Sequence, residues 1–396
     1  MQLAERLTRI SVPQTIRMAK LSRELKAQGI DIVDLSIGEP DFDTPAHIRE
    51  AAKKAIDEGF THYTPVAGYA DLKAAVAYKL KRDNGLEYSP EQIVVSTGAK
   101  QSIANAVLSI VNPGDEVIIP TPYWVTYSEL VKLCQGVVKF VPCGIENNYK
   151  ITPAQLEAAI TPRTRLFMFS SPCNPTGSVY SREELEGLAA VFEKHPDIFI
   201  ISDEIYEYIN YVGPHESIAS FGSLKDRTII INGLSKGFAM TGWRLGYLAA
   251  PLEIAKASDM IQSQFTSATC SISQRCAITA LRGELDATNE MVAAFRDRRA
   301  FIYKALQEIP GLKVNEPDGA FYMFPNVSAF FGRSYEDSHI ANADDLCMYL
   351  LHKANVSVVT GGAFQQPECI RISYATGMPR IEEGMKRMKE WLGKLQ

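Results

Sequence analysis

The densest run of chemistry-bearing residues is Ser235-Lys236-Gly237-Phe238-Ala239-Met240-Thr241-Gly242-Trp243-Arg244. Its lysine follows Thr228-Ile229-Ile230-Ile231-Asn232, an apolar run that reads as a buried strand. An arginine stands eight residues further on, beyond a small, aromatic or apolar stretch. A lysine that is desolvated or set near another cation gives up its proton readily, and the neutral amine condenses with an aldehyde. Arginine offers a fixed fork of donors that matches a phosphate. An aldehyde-reactive amine beside a phosphate clamp points to pyridoxal phosphate.

Three more features fall where buried strands should end. Thr97-Gly98-Ala99-Lys100-Gln101 joins a strand to a helix, and its small residues let backbone N–H groups approach an anion. Ser171-Pro172-Cys173-Asn174-Pro175-Thr176-Gly177 holds an asparagine amide between two prolines that stiffen the backbone. Ser202-Asp203-Glu204-Ile205-Tyr206 puts a carboxylate at the end of an apolar run, which is costly unless a cation meets it. Taken singly, each also fits a plain role: a tight turn, a loop that ends a strand, a cap for a following helix. Taken together they supply an amine, a carboxylate, an amide, an arginine and an anion cradle for one ligand. The Gly-x-Gly-x-x-Gly signature of a dinucleotide-binding dehydrogenase is absent.

The elements that must position these residues alternate. Strands are predicted at Ile93–Ser96, Glu116–Ile119, Val137–Val141, Leu166–Phe169, Ile198–Ile201, Thr228–Ile231 and Leu245–Leu248. A helix is predicted through Gln101–Val111, and capped helices are predicted after Thr152 and Ser181. This alternation is the pattern of an α/β fold, a mainly parallel sheet with helices on both faces. In such sheets ligands bind beyond the carboxyl ends of the strands. From about Asp286 the texture changes to a long helix, strands at Ala320–Phe324 and Ile370–Tyr374, and a last helix through Glu382–Lys394, a smaller α+β domain.

Bulk properties exclude other classes. A net charge of −5 with no basic block argues against nucleic acid. Seven cysteines without a Cys-x-x-Cys pair, and six histidines without ligand spacing, argue for a reducing compartment and no metal. The first residues lack the apolar core of a signal peptide, and no run approaches the ~20 apolar residues of a membrane span, so the expected location is cytoplasmic.

From Ser36-Ile37-Gly38-Glu39-Pro40-Asp41-Phe42 to Arg371-Ile372-Ser373-Tyr374-Ala375, the chain resembles the class I aminotransferases, pyridoxal-phosphate enzymes of fold type I. It is most similar to their bacterial aspartate/prephenate branch. The resemblance rests on Asn-Pro-Thr-Gly, Ser-Asp-Glu-Ile-Tyr and Ser-Lys-x-Phe-x-Met-Thr-Gly-Trp-Arg in this order. It implies that Lys236 is the Schiff-base lysine and proton carrier, that Asp203 pairs with the ring nitrogen, and that Asn174 and Tyr206 bond the ring oxygen. Trp124 matches the aromatic stacked on the ring. Gly98, Ala99, Lys100 and Arg244 match the phosphate site, as does Tyr63, which reaches the phosphate of a neighbouring subunit in a homodimer. Arg371 matches the clamp for the substrate α-carboxylate, with Gly38 close to it. Lys100 and Thr15 match the readers of a distal carboxylate. Gly233 departs from the relatives that carry a phosphate-touching hydroxyl there, and Ser235 is the candidate replacement.

The implied activity is ping-pong amino transfer between aspartate or glutamate and a 2-oxo acid, with prephenate as an additional substrate. An aromatic, alanine or kynurenine-type enzyme on the same scaffold, and a cofactor-binding sensor without turnover, are the other readings. The expected units are an N-terminal segment (1–45) packed on the small domain, a large cofactor domain (46–290) and a small domain (291–396).

Overall fold

The structure, a computed structural model, describes residues 3–11 and 14–396, and side chains in the second span from residue 17 onward. Seven strands build the main sheet: β1 (Ile93–Ser96), β2 (Glu116–Thr121), β3 (Val137–Pro142), β4 (Thr164–Ser170), β5 (Phe199–Asp203), β6 (Thr228–Gly233) and β7 (Gly246–Ala249). Their order is β1-β7-β6-β5-β4-β2-β3, all parallel except β7, which runs against both of its neighbours. The strands are buried on both faces because their side chains alternate between two cores. Ile229 and Ile231 join the cluster of Ile103, Val107 and Tyr127, while Ile230 points the other way to Leu72, Val76 and Ala277. Each such side chain contributes roughly 1.5–3 kcal/mol by leaving water.

Before the sheet lie α1 (Gln14–Ala27), α2 (Ala46–Asp57) and α3 (Ala70–Asn84); α4 (Ala99–Ile110) follows β1 and α5 (Thr126–Leu133) follows β2. The two capped helices form as expected. Thr152 and Ser181 each accept the N–H of the third helical residue, whose own side chain turns back to the cap.

Beyond the main sheet, β8 (Tyr322–Met323), β9 (Val359–Thr360) and β10 (Ile370–Ser373) form an antiparallel sheet in the order β9-β10-β8. The expected strand over Ala320–Phe324 shrinks to two residues. Ala320 takes a positive φ of 55°, which stops the ladder on one side, and Pro325 offers no N–H on the other. Near the N-terminus Val33–Asp34 pairs with Val356–Ser357, and Val33 and Leu35 join the C-terminal core of Phe295, Phe321 and Ile372. The helix Asp286–Gln307 runs unbroken through position 290, so no loop marks a boundary there. No helix among the described residues is long and apolar enough to cross a membrane. Among those residues no cysteine is paired, and no group of His, Cys, Asp and Glu could hold a metal.

Candidate active site

The carboxyl ends of β1, β2, β4, β5 and β6 share one rim of the sheet, and the residues beyond them line a cavity of about 510 Å³. Asp203 closes β5 and is only 4% exposed. Its carboxylate accepts the Tyr127 hydroxyl at 2.6 Å and the Ile205 N–H at 3.3 Å. Burial pushes its carboxyl up to about 6, and the Tyr127 hydroxyl resists that rise. The chain turns after Asp203 and no helix follows, so a capping role does not arise.

Lys236 stands three residues beyond β6. Its Nζ donates to the Gly38 carbonyl at 2.5 Å and lies 5.7 Å from the Tyr206 ring centroid. Burial pulls its amine down to about 8; Glu39 opposes this, and Arg371 and Arg244 add to it. Asn174 and Trp124 face the same space.

An anion cradle forms where β1 meets α4. The helix starts two residues earlier than expected, at Ala99, so Ala99 and Lys100 lie in its first turn, where N–H groups have no helical partner. Gly98 precedes it at φ +86°, and no side chain caps the end. The Arg244 guanidinium lies so close over Gly98 that an added Cβ would collide with it. Gly246 is equally constrained, because a Cβ there would run into the Ala99 backbone nitrogen. The departure at Gly233 has the same origin. Gly233 pairs with Gly246, and a side chain would come within 2.8 Å of the Gly246 Cα. Ser235 is buried and lines the cavity.

Lys100 places its Nζ 5.0 Å from the Trp124 ring centroid, and burial together with the charge of Arg244 lowers its pKa. Lys100 and Arg244 face the same cavity as two neighbouring cations, an arrangement that favours an anion between them.

Arg371 reaches the cavity from β10 and is 3% exposed. It donates to Asn174 Oδ1 at 3.0 Å and to the Ser36 carbonyl at 2.7 Å, while its Nε has no partner among the described residues. The Tyr206 and Tyr322 hydroxyls share a hydrogen bond of 2.7 Å beneath it. Tyr63 is 98% exposed and does not line the cavity of its own chain. The side chain of Thr15 lies outside the described residues.

Tyr127 and Tyr322 are site residues that the sequence reading passed over. Tyr127 had no legible signal, since the Asp203 it bonds lies 76 residues away. Tyr322 had none, since its partner Tyr206 lies 116 residues away.

Residues 30–387 match the family model for aminotransferase class I and II. The chain belongs to that family. It is 46% identical to the aspartate/prephenate aminotransferase of Nitrosomonas europaea, over 99% of this chain and 100% of that protein. It is 44% identical to the aspartate aminotransferase of Bacillus subtilis over the whole of both. The crystal structure of the Rhizobium meliloti aspartate aminotransferase superposes with a TM-score of 0.97 at 40% identity, covering 100% of both chains. That of the Thermus thermophilus aspartate aminotransferase with maleate gives 0.93 at 38% identity, covering 99% of this chain and 100% of that one. The fold is therefore that of the aspartate aminotransferases, fold type I, and the aminotransferase family is where the cavity residues find their context.

Proposed function

We propose that this aminotransferase binds pyridoxal phosphate and moves amino groups between aspartate or glutamate and a 2-oxo acid, with prephenate as an additional substrate. The observation that carries the reading is the convergence of Lys236, Asp203 and Arg371 on one cavity with the cationic pair Lys100 and Arg244. The relatives' names support aspartate, and two of those names support prephenate.

The residues present fit the cofactor. Glycines at 98 and 246 leave the cradle open where a Cβ would fill it. Asp203, buried and aimed into the cavity, suits a cationic ring nitrogen, and the lowered amine of Lys236 suits an aldehyde. In this reading Arg244, the first turn of α4 and Ser235 hold the phosphate, and Trp124 covers the ring. Asn174 and Tyr206, which line the same cavity, would hold the ring oxygen.

When bound, pyridoxal phosphate supplies the electron sink for loss of an α-proton. The chain's own groups do the rest. Asp203 keeps the proton on the ring nitrogen. Arg371, with Nε still unpaired, takes the substrate's α-carboxylate in the manner of a bidentate fork. Lys236 Nζ moves the proton on and off the substrate's α-carbon, for which a pKa near working pH is favourable. Lys100 meets the distal carboxylate.

A panel of amino donors against 2-oxoglutarate and prephenate tests the reading. Aspartate and glutamate are expected to give the highest kcat/KM. Lys100→Ala should lower it for dicarboxylates by roughly 10- to 100-fold while sparing alanine, and Arg371→Ala should lower it for every donor by about 10²-fold or more. A preference for aromatic donors or alanine, or an aspartate kcat/KM untouched by Lys100→Ala, overturns the dicarboxylate assignment.

A further inference from the structure

The segment that leaves β5 has two faces. Asp203 and Tyr206 line the cavity, whereas Glu204 and Glu207 do not and are buried in the interior behind it. Behind Glu204 stands His215, with Nε2 at 3.1 Å from Glu204 Oε2 and side-chain exposures of only 4% and 1%; the contact is an ion-pair approach outside hydrogen-bond alignment, and neither ring nitrogen has a hydrogen-bond partner among the described residues. The other oxygen of Glu204 accepts hydroxyl protons from Ser202 at 2.9 Å and Ser217 at 2.6 Å. Glu207 pairs with Lys79 of α3, which also donates to Asn84 at 2.8 Å and lies near Asp83. Asp83 in turn pairs with Arg82 and accepts the Tyr208 hydroxyl.

The charges of this cluster can be counted. Glu204, Glu207 and Asp83 are three carboxylates and Lys79 and Arg82 are two cations, so with Glu204 held below its ordinary value and ionised, a protonated His215 brings the group to neutrality. The groups that bear on His215 are Glu204, Glu207 and Lys79; those that bear on Glu204 also include Ser202, Ser217 and the neutral phenols of Tyr88 and Tyr247. Burial works against the imidazolium, but the charge and contact of Glu204 outweigh it, and His215 sits above its ordinary value. One peptide bond separates Glu204 from Asp203, and in a poorly screened interior an uncompensated charge there disfavours a second one.

We propose that the buried His215–Glu204 pair is a positioning and charge-setting device for the cavity carboxylate: the imidazolium cancels Glu204, keeps Asp203 ionised, and anchors the turn that aims Asp203 and Tyr206. The consequence for catalysis rests on the reading of Asp203 as the partner of a cationic ring; the electrostatic link itself does not.

The test is the pH titration of the Asp203 carboxyl, followed by carboxyl 13C NMR of the full chain without cofactor and assigned by its loss in Asp203→Asn. His215→Gln, which leaves Glu204 uncompensated, is expected to move the inflection up by about one pH unit, whereas Glu204→Gln, which removes the carboxylate and lets the buried imidazole lose its proton, is expected to leave it close to the parent, as is the double variant. An inflection that stays put in His215→Gln, or that moves up alike in both single variants, overturns the proposal, because a pair that merely braced the turn would act in one direction whichever member was lost. A measurement without variants stands beside it. In the cofactor-loaded enzyme at pH 7, imidazole 15N shifts are expected to show His215 doubly protonated, and a neutral ring there overturns the proposal. The proposed function fails separately, if Asp203→Asn retains cofactor affinity and turnover while the titrations shift as expected.

Discussion

Lys236 and Asp203 are drawn toward each other on the pH scale by one cause, burial in the same cavity, which brings the amine down to about 8 and the carboxyl up to about 6. An amine attacks an aldehyde only when neutral, so the rate at which the cofactor-free protein captures pyridoxal phosphate should follow the neutral fraction of Lys236. That rate is expected to rise about tenfold per unit below pH 7 and to level off above about pH 8, where an unperturbed lysine would still be gaining. Stopped-flow absorbance across pH 6–10 checks it, and a rate still climbing at pH 10 contradicts it. Asp203 owes its remaining acidity largely to Tyr127. Tyr127→Phe removes a donor to the ionised form, so the carboxyl should titrate higher and the acid limb of kcat/KM should move to higher pH, with a stability loss of about 1–3 kcal/mol by denaturant unfolding. An acid limb that does not move shows that Tyr127 is not what holds Asp203 down. Lys236 and Asp203 were legible in the sequence because each follows a run of consecutive apolar residues, a pattern that marks a strand end. Tyr127 was not, since its bond to Asp203 joins positions 76 residues apart.

At the scale of elements, the cradle is made by what β7 and α4 leave out. The sequence showed Gly98 and Ala99 as a turn but placed the helix start too late, because no Ser, Thr, Asp or Asn side chain caps this end and the usual signal is missing. The packing of Gly246 against the Ala99 nitrogen was not legible at all, because it depends on β7 inserting antiparallel between β1 and β6. Most of the main sheet, by contrast, could be read directly, since strands buried on both faces are written as unbroken runs such as Ile229-Ile230-Ile231. Gly246→Ala should force the helix start away from the sheet. The expected result is a loss of about 1–3 kcal/mol of stability and at least a tenfold weaker affinity for pyridoxal phosphate, read by denaturant unfolding and equilibrium dialysis. Stability lost with affinity intact would show that the helix end tolerates displacement and is not what grips the phosphate.

For the whole molecule, Arg371 ties three parts of the chain together: β10, Asn174 beyond β4, and the carbonyl of Ser36 near the N-terminus. A substrate carboxylate arriving at Arg371 therefore meets a group that bridges the main sheet and the C-terminal core. Tyr63 poses the opposite problem. Its aromatic side chain is 98% exposed and does not line the cavity of its own chain. If it completes the cradle of a second copy, each site takes Lys236 from one chain and Tyr63 from the other. Subunits carrying Lys236→Ala and subunits carrying Tyr63→Ala should then complement each other. In a mixed dimer one site collects both defects and the other is intact, so after random re-association of equal amounts about half of the dimers are mixed and about a quarter of all sites are whole. Activity rising well above the sum of the two parents, at a concentration where sedimentation shows dimers, is the expected outcome. Activity equal to that sum would mean that each site is complete within its own chain and that Tyr63 serves the surface alone.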